Sequence, residues 1–349
     1  MFKNILKPAL LLMVLVSVSA FSKDYSSLYK KLDKSVVIIY SDSQEVRAED
    51  DKLVTKTASS LGSGTLINQQ GLILTAAHVV NSADELTVTV KERGTYKAKV
   101  LASFEAADIA LIKLISNETN FPFVKLGDSN KAEIGNEVFV IGTPYGLEHT
   151  LTVGHFSGKR IYQRPGFNKI EFIQTDAAIN QGNSGGPLFL ENGELIGVVS
   201  YIQSRLGGNE GLGFAASTAM VKDILIAQPM VWFGFEYTFL TPVMAAALNI
   251  PQRAGLLVEK VTTQSFAEKL GLKGGIVPAI IDNNPIILGG DVVLSIGPHI
   301  LTGEEQNYLN ILNYMRSLKG GDKVKFKVLR LGHEIELEAA LPNLKIKLM

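Results

Sequence analysis

The stretch Gly182-Asn183-Ser184-Gly185-Gly186-Pro187 sets one serine among glycines, between two apolar runs. Two other patterns precede it. Thr75-Ala76-Ala77-His78 closes the run Leu72 to Thr75, and Ala107-Asp108-Ile109-Ala110-Leu111 opens another. A serine hydroxyl is a poor nucleophile until a base takes its proton. A histidine near neutrality takes that proton and returns it to a leaving amine. A carboxylate beside the imidazole fixes its tautomer and stabilises the imidazolium. Glycines flanking the serine allow a sharp turn, so the N–H groups of Gly182 and Ser184 can form an oxyanion hole. Taken singly, each pattern has a plainer reading: a turn for the serine, a packed or capping role for His78 and Asp108. Their order and neighbours together assign His78, Asp108 and Ser184 as base, orienting acid and nucleophile.

The surrounding chain consists of short β-rich runs from Ser35 to about Ser217. They are Val36 to Ile39, Gly64 to Ile67, Leu72 to Thr75, Leu86 to Val90, Ile109 to Leu114, Glu137 to Ile141, Ile170 to Gln174 and Leu195 to Ser200. Gly, Asn, Asp and Pro punctuate them at hairpin spacing, which predicts an all-β barrel or sandwich. His, Asp and Ser in that order in an all-β chain are what a chymotrypsin-type triad requires. Helical pattern is confined to Lys30 to Val36 and Thr218 to Ile226. The charged stretch Gln44 to Ser60 lacks strand pattern and reads as an exposed flexible loop. Character changes between Ala227 and Trp232, where Gln228-Pro229 breaks the preceding helix. Beyond it, strands Gly255 to Lys260, Asp291 to Ile296, Lys323 to Leu329 and Glu334 to Ala339 mix with helices Thr241 to Leu248 and Tyr308 to Leu318, giving a small α+β module.

Composition narrows the function classes. With 349 residues the chain holds two domains, or a double barrel and a smaller unit, at roughly 150 residues each. Its 34 basic and 34 acidic residues balance, which argues against broad attraction to nucleic acid. The absence of cysteine removes disulfides, thiolate zinc sites and a cysteine nucleophile. Residues 1–20 carry Lys3 and Lys7, the apolar run Ala9 to Val16 and the exit Ser17-Val18-Ser19-Ala20, which is a secretory signal-peptide pattern. A buried N-terminal helix and an uncleaved membrane anchor are the alternatives. His149, His155, His299 and His333 form no ligand cluster, so neither a metal nor another cofactor is implied. His149 and His155, flanking Leu147 to Ser157, read as solvated loop histidines.

These residues closely resemble the HtrA/Deg family of serine proteases, a branch of the trypsin-like fold. The resemblance rests on Gly62-Ser63-Gly64-Thr65, Thr75 to His78, Ala107 to Leu111, Gly142-Thr143-Pro144-Tyr145-Gly146-Leu147, Gln174 to Asn180, Gly182 to Pro187 and Gly211 to Ala215. It implies a mainly β chain: a trypsin-like double β-barrel protease domain over 35–227, after an N-terminal segment 21–34, then one α+β PDZ domain over 231–342. Trp232-Phe233-Gly234-Phe235 resembles a carboxylate-binding loop. Gly255 to Val258, Ala267 to Leu272 and Leu288 to Val293 continue the likeness. Departures are Gln181, Thr143 and Tyr145, none expected to touch the triad, and a longer, more apolar Lys273 to Leu288.

The resemblance further implies an apolar substrate pocket at Ile179 and Ile202, cleavage after small aliphatic residues, and capture of peptide C-termini by the PDZ module. It implies control through loops Leu147 to Gly158 and Gln163 to Lys169, with Arg160 or Arg164 as relays. It also implies a homotrimer or a multiple of trimers, for which Phe21, Tyr25 and Tyr29 offer contacts. The expected function is an ATP-independent quality-control endopeptidase acting on unfolded or misfolded polypeptides in the periplasm. Two alternatives stand beside it: a membrane-tethered site-specific regulatory protease facing the periplasm, and a chaperone or peptide-binding scaffold with secondary proteolysis.

Overall fold

The computed structural model describes residues 24–346 apart from 50–51, 147–148, 165–166, 204–209, 228–230, 282–283 and 344–345. The signal segment 1–20, Phe21 and the Gln228-Pro229 break lie outside the described residues, as does the side chain of Arg164.

Helix α1 (Ser26–Leu32) leads into six strands: β1 (Val36–Glu49), β2 (Lys52–Leu66), β3 (Leu72–Thr75), β4 (Glu85–Val90), β5 (Gly94–Phe104) and β6 (Ile109–Leu114). The short helix α2 (Ala77–Val80) interrupts them after β3. They close into a barrel in the order β1-β2-β3-β6-β5-β4. A second set follows: β7 (Glu137–Gly142), β8 (Thr150–Arg164), β9 (Phe167–Thr175), β10 (Pro187–Leu190), β11 (Leu195–Ile202) and β12 (Gly213–Ser217). It closes as β10-β11-β12-β9-β8-β7, the same connectivity repeated. This is the double barrel of the trypsin-like fold.

Period two explains the unbroken apolar runs. Val37, Ile39, Ile73 and Ile112 fill the first barrel, and Val138, Val140, Ile173 and Ile196 fill the second. The alternate residues of the same strands, Val36, Leu74, Leu111, Phe139 and Ile141, meet in a shared core between the barrels. A strand buried on both faces has no polar side to show. Helix α3 (Thr218–Met220) and the helical turn Val221–Ala227 close that seam with Met220, Val221 and Leu225.

Three sequence expectations are corrected here. Gln44 to Glu49 and Lys52 to Ser60 are not loop but the protruding part of the β1–β2 hairpin, in register from Asp42↔Ser59 through Glu45↔Lys56 to Arg47↔Val54. It projects past the barrel, so neither face is buried and no apolar alternation marks it. Of the stretches Leu147 to Gly158 and Gln163 to Lys169, residues 147–148 and 165–166 lie outside the described residues; from Thr150 on the rest is strand, since Thr150 to His155 pair with β7 and β8 pairs with β9 from Phe156↔Thr175 to Arg164↔Phe167, with Arg160 opposite Phe172. His149 is buried rather than solvated: its Nδ1 meets Asp33 Oδ1, and Lys91 holds the other Asp33 oxygen. His155 is exposed beside Asp176.

The residues before β1 are well packed. Tyr25 is buried against Phe139 at 5.1 Å and donates to Glu137 Oε1 at 2.6 Å, and Tyr29 donates to the His149 carbonyl at 2.6 Å. Asp33 therefore ties the N-terminal segment to both barrels. Truncating it leaves the buried His149 Nδ1 and the Lys91 Nζ without their acceptor, and Asp33→Ala is expected to lose about 1–3 kcal/mol of stability. Urea denaturation checks this; a loss under about 1 kcal/mol would mean the ion cluster contributes no net stability.

The third unit contains β13 (Phe235–Leu240), helix α4 (Pro242–Ala247), β14 (Gly255–Val261), helix α5 (Phe266–Leu270), β15 (Val277–Ile281), β16 (Asn284–Leu288), β17 (Val292–Ile296), β18 (His299–Ile300), helix α6 (Glu305–Ser317), β19 (Lys323–Arg330) and β20 (His333–Ala340). Its sheet runs β13-β14-β17-β19-β20, with β13 at one end, and β15–β16 form a separate hairpin. Val258, Phe266, Leu270, Val293, Phe326 and Val328 make its core.

Candidate active site

His78 reaches the site because β3 ends in small buried residues. Ala76 and Ala77 let the chain turn directly into α2, whose Val79 and Val80 anchor it in the first barrel. The side chain of His78 stays half exposed at the seam. Asp108 closes the turn Glu105–Ala107 in the left-handed conformation, φ 52°. Its N–H donates to the Glu105 carbonyl at 2.9 Å. Aspartate tolerates this conformation better than most residues. It turns the carboxylate toward α2 instead of along β6.

The two side chains meet as the chemistry demands. His78 Nδ1 lies 2.9 Å from Asp108 Oδ1 and 2.8 Å from Oδ2. The His78 backbone N–H donates to Oδ1 at 2.9 Å. Ser200 Oγ donates to Oδ2 at 2.5 Å. Ser200 was not among the residues singled out in sequence, because it lies mid-strand in β11 with no local pattern. Its hydroxyl satisfies the carboxylate that orients His78, and Ser200→Ala is expected to lower turnover by roughly tenfold, the size of one charged hydrogen bond. A kcat/KM unchanged within twofold would remove Ser200 from the site.

Ser184 sits on the β9–β10 connection, which is stitched to the first barrel. Ser63 N–H donates to the Ser184 carbonyl at 2.8 Å and Ser63 Oγ to the Gly182 carbonyl at 2.8 Å. Thr143 Oγ1 also donates to the Gly182 carbonyl, at 3.2 Å. Thr143 thus supports the loop that carries Ser184, a contact that its sequence neighbours do not advertise. A Cβ on Gly62 would meet the Ser184 carbonyl oxygen at 3.2 Å, and one on Gly185 would meet Thr75 Oγ1 at 2.1 Å and the Ser63 carbonyl oxygen at 2.3 Å. The glycines therefore permit the close approach of the two barrels.

Within this loop, Asn183, Gly185 and Gly186 donate to the carbonyls of Asn180, Val199 and Asn183. Among the described residues, no acceptor meets the N–H of Gly182 or of Ser184. These are two open donors beside the candidate nucleophile. Ser184 Oγ itself donates to the Ser200 carbonyl at 3.4 Å, and no hydrogen bond joins it to His78. Ile179 is buried in the core of the second barrel and Ile202 packs against the same cluster, with a Gly213 Cβ placed 2.6 Å from Ile179 Cδ1.

The Trp232–Phe235 loop lies in the third unit. The Phe233 carbonyl accepts from Ala267 N–H at 2.8 Å and the Gly234 carbonyl from Thr262 N–H at 2.9 Å. Phe233 N–H and Gly234 N–H meet no acceptor among the described residues. The Phe233 ring packs inward on Phe266 and Phe326, at 5.1 and 5.9 Å, and Trp232 lies against Gly234. Phe235 begins the end strand β13. Among the described residues, no three His, Asp or Glu side chains converge on a metal-sized site.

Comparison with known proteins gives the family. The family described as trypsin-like peptidase domain matches residues 62–198. A protein of Pseudomonas putida (strain GB-1) named probable periplasmic serine endoprotease DegP-like is 36% identical over 299 residues, covering 82% of this chain and 58% of that protein. One of Hahella chejuensis with the same name is 34% identical over 293 residues, covering 82% and 58%. The chain thus spans just under three fifths of the length of these curated relatives. The solved HtrA-type protease AlgW with tripeptide is 30% identical, with 93% of this chain and 98% of that chain covered and a TM-score of 0.51. A variant of it with decapeptide is 28% identical, with 92% and 97% covered and a TM-score of 0.55. The chain belongs to the HtrA family of trypsin-like serine proteases.

Proposed function

We propose that this protein is an ATP-independent serine endopeptidase of protein quality control, cleaving unfolded or misfolded polypeptides through an acyl-enzyme. The observation that carries the reading is His78 held on both Asp108 oxygens, beside a serine loop with two open N–H groups. Ser184 Oγ attacks the scissile carbonyl carbon and its proton passes to His78 Nε2. The new oxyanion sits on the N–H groups of Gly182 and Ser184. His78 then returns the proton to the leaving amine, and water repeats the sequence to hydrolyse the acyl ester.

Ser184 Oγ turns from the Ser200 carbonyl to His78 for attack, a rotation about one side-chain bond. The pocket reading places Ile179 and Ile202 at the primary subsite, so cleavage follows small aliphatic residues. A peptide-library profile dominated by Lys or Arg would overturn it. The names of the relatives support a periplasmic location. Among the described residues no helix is long and apolar enough to cross a membrane.

The third unit, over 231–342, acts as a PDZ module. Its open Phe233 and Gly234 N–H groups take a peptide carboxylate, and the peptide adds a strand to β13. The protease domain spans 35–227, and a homotrimer is the expected assembly. A fluorophosphonate probe tests the central claim: it should label Ser184 in the full chain and leave Ser184→Ala unlabelled. Equal absence of labelling in both, with and without unfolded casein, would sink the protease reading and put a peptide-binding scaffold first.

A further inference from the structure

Past the serine loop, strand β11 keeps a neighbour on one side only. Its pairing with β10 runs from Phe189↔Leu195 to Pro187↔Val198. Val199 is the last residue tied on that side: its N–H donates to the Gly186 carbonyl at 2.8 Å and its carbonyl accepts from Gly185 N–H at 2.7 Å. On the other side β12 continues through Tyr201↔Phe214 and Ile202↔Gly213, and Gln203 N–H donates to the Leu212 carbonyl at 2.9 Å. The ladder slips between Val199 and Tyr201, so Ser200 is a bulged residue with no partner on β12. The bulge aims the Ser200 carbonyl at Ser184 and the Ser200 hydroxyl at Asp108. Backbone groups alternate in direction along an antiparallel strand. Gln203 N–H points to β12, so the N–H and carbonyl of Ile202 point to the open edge. Among the described residues no strand pairs there.

Side chains alternate as well. Ile202 packs on the core of the second barrel, whereas Tyr201 turns the other way, to the seam between the barrels. The Tyr201 ring stacks on Phe214 at 4.7 Å and meets Phe172 edge-on at 5.4 Å. Tyr162 of β8 meets Phe172 edge-on at 6.1 Å. Phe172 and Phe214 belong to the seam core and seat both tyrosine rings. The two tyrosines themselves stay 45% (Tyr162) and 38% (Tyr201) exposed. A hydrogen bond between their side chains joins them into one aromatic shelf. Arg160 stands near enough to act on the Tyr201 phenol, and its charge disfavours a cationic occupant.

We propose that Tyr201 and Tyr162 form a specificity subsite for an aromatic or large aliphatic side chain on the residue preceding the one that gives the scissile carbonyl. This rests on the protease reading above and adds a second determinant to its primary pocket. An extended substrate fits the open edge of β11 as an antiparallel strand. The Ser184 hydroxyl leaves the Ser200 carbonyl as it turns to His78, which frees that acceptor. The residue cut at its carbonyl lies nearest Ser184 and gives its N–H to the Ser200 carbonyl. Upstream, the chain runs past Tyr201, and the third residue pairs with the N–H and carbonyl of Ile202. Directly opposed residues of an antiparallel pair share a face. The residue opposite Tyr201 therefore lays its side chain on the tyrosine shelf, while the cut residue turns toward Ile179 and Ile202. A ring or branched chain seated there covers exposed aromatic surface, and a ring adds an aromatic pair. A glycine gains neither.

The test uses the full chain and internally quenched peptides with Val at the cut residue. The preceding residue is Phe, Tyr, Leu, Gly, Asp or Lys, and mass spectrometry fixes the position of the cut. Phe and Tyr should exceed Gly in kcat/KM by roughly tenfold, the size of one filled apolar pocket. In Tyr201→Ala the Phe-to-Gly ratio should fall below about twofold, and in Tyr201→Phe it should persist. Tyr162→Ala, a second variant, should lower the ratio by a smaller amount. Each ratio is taken within one enzyme, so a general loss of turnover cancels. An equal ratio in Tyr201→Ala and wild type, a flat wild-type profile, or a preference for Lys or Asp would overturn the subsite. So would the absence of any cleavage by a wild type that the fluorophosphonate probe labels. A wild type that neither cleaves nor labels is a different result: it counts against the protease reading, and the subsite falls with it.

Discussion

Replacing Asp108 by Asn is expected to slow acylation of Ser184 by on the order of 10⁴, with the fold intact. The geometry explains so large an effect from so small a change. Asp108 accepts from the His78 ring N–H, the His78 backbone N–H and Ser200 Oγ at once. A carboxylate accepts only, so His78 must carry its proton on Nδ1 and present a bare Nε2 to Ser184. An asparagine keeps one oxygen, which the backbone N–H and Ser200 hydroxyl compete to occupy. Its amide then faces Nδ1 as a donor, which selects the tautomer with the proton on Nε2. That tautomer cannot take the serine proton. The check is the second-order rate of fluorophosphonate labelling, with circular dichroism and a melting curve as controls for folding. A rate within tenfold of wild type would mean that Asp108 does not set the tautomer. Ser200→Ala should fall between wild type and Asp108→Asn, since it removes one donor and leaves the acceptor.

The chemistry of the site was legible because each reacting residue stands in a local pattern the reaction needs. Ser184 requires glycines beside it, and Asp108 requires a turn opening a strand. What was not legible lies across space. Ser200 is one of eight residues in β11 and reads as part of an apolar run. Asn81 and Asp84 look like ordinary turn residues, and their partners Thr262 and Thr263 are about 180 positions away. His149 and Asp33 meet across 116 positions, so nothing near His149 announces its burial. The strands show the same division. Val36 to Ile39 and Ile109 to Leu114 were evident because both of their faces are buried. β5 and β8 are long and partly solvated, and the outer part of the β1–β2 hairpin, Gln44 to Arg47 and Leu53 to Thr57, is buried on neither face. The fold class survived these omissions because the strands that build the seam carry the strongest apolar signal, and the site sits on that seam.

Gly182→Ala is expected to lower kcat by about 10²–10³ while leaving peptide binding to the third unit unchanged, the cost of losing one oxyanion donor. Gly182 has φ +101°, where an L side chain is strained. The new Cβ would also fall 2.2 Å from the Thr143 carbonyl oxygen and 3.2 Å from Pro144 Cα. Those are backbone atoms and cannot rotate aside. The loop must move, and the Gly182 N–H moves with it, away from where charge develops. Because this donor acts mainly on the tetrahedral intermediate, KM should change little. Strain alone is controlled by Gly94→Ala. Gly94 has φ +106° in the β4–β5 turn, and a Cβ there meets nothing within 4 Å. That variant should lose about 1–2 kcal/mol of stability and keep its activity. Steady-state kinetics on a fluorogenic unfolded substrate compare the two. If Gly182→Ala kept kcat within threefold, or if Gly94→Ala lost as much, the open N–H pair would not be the oxyanion hole.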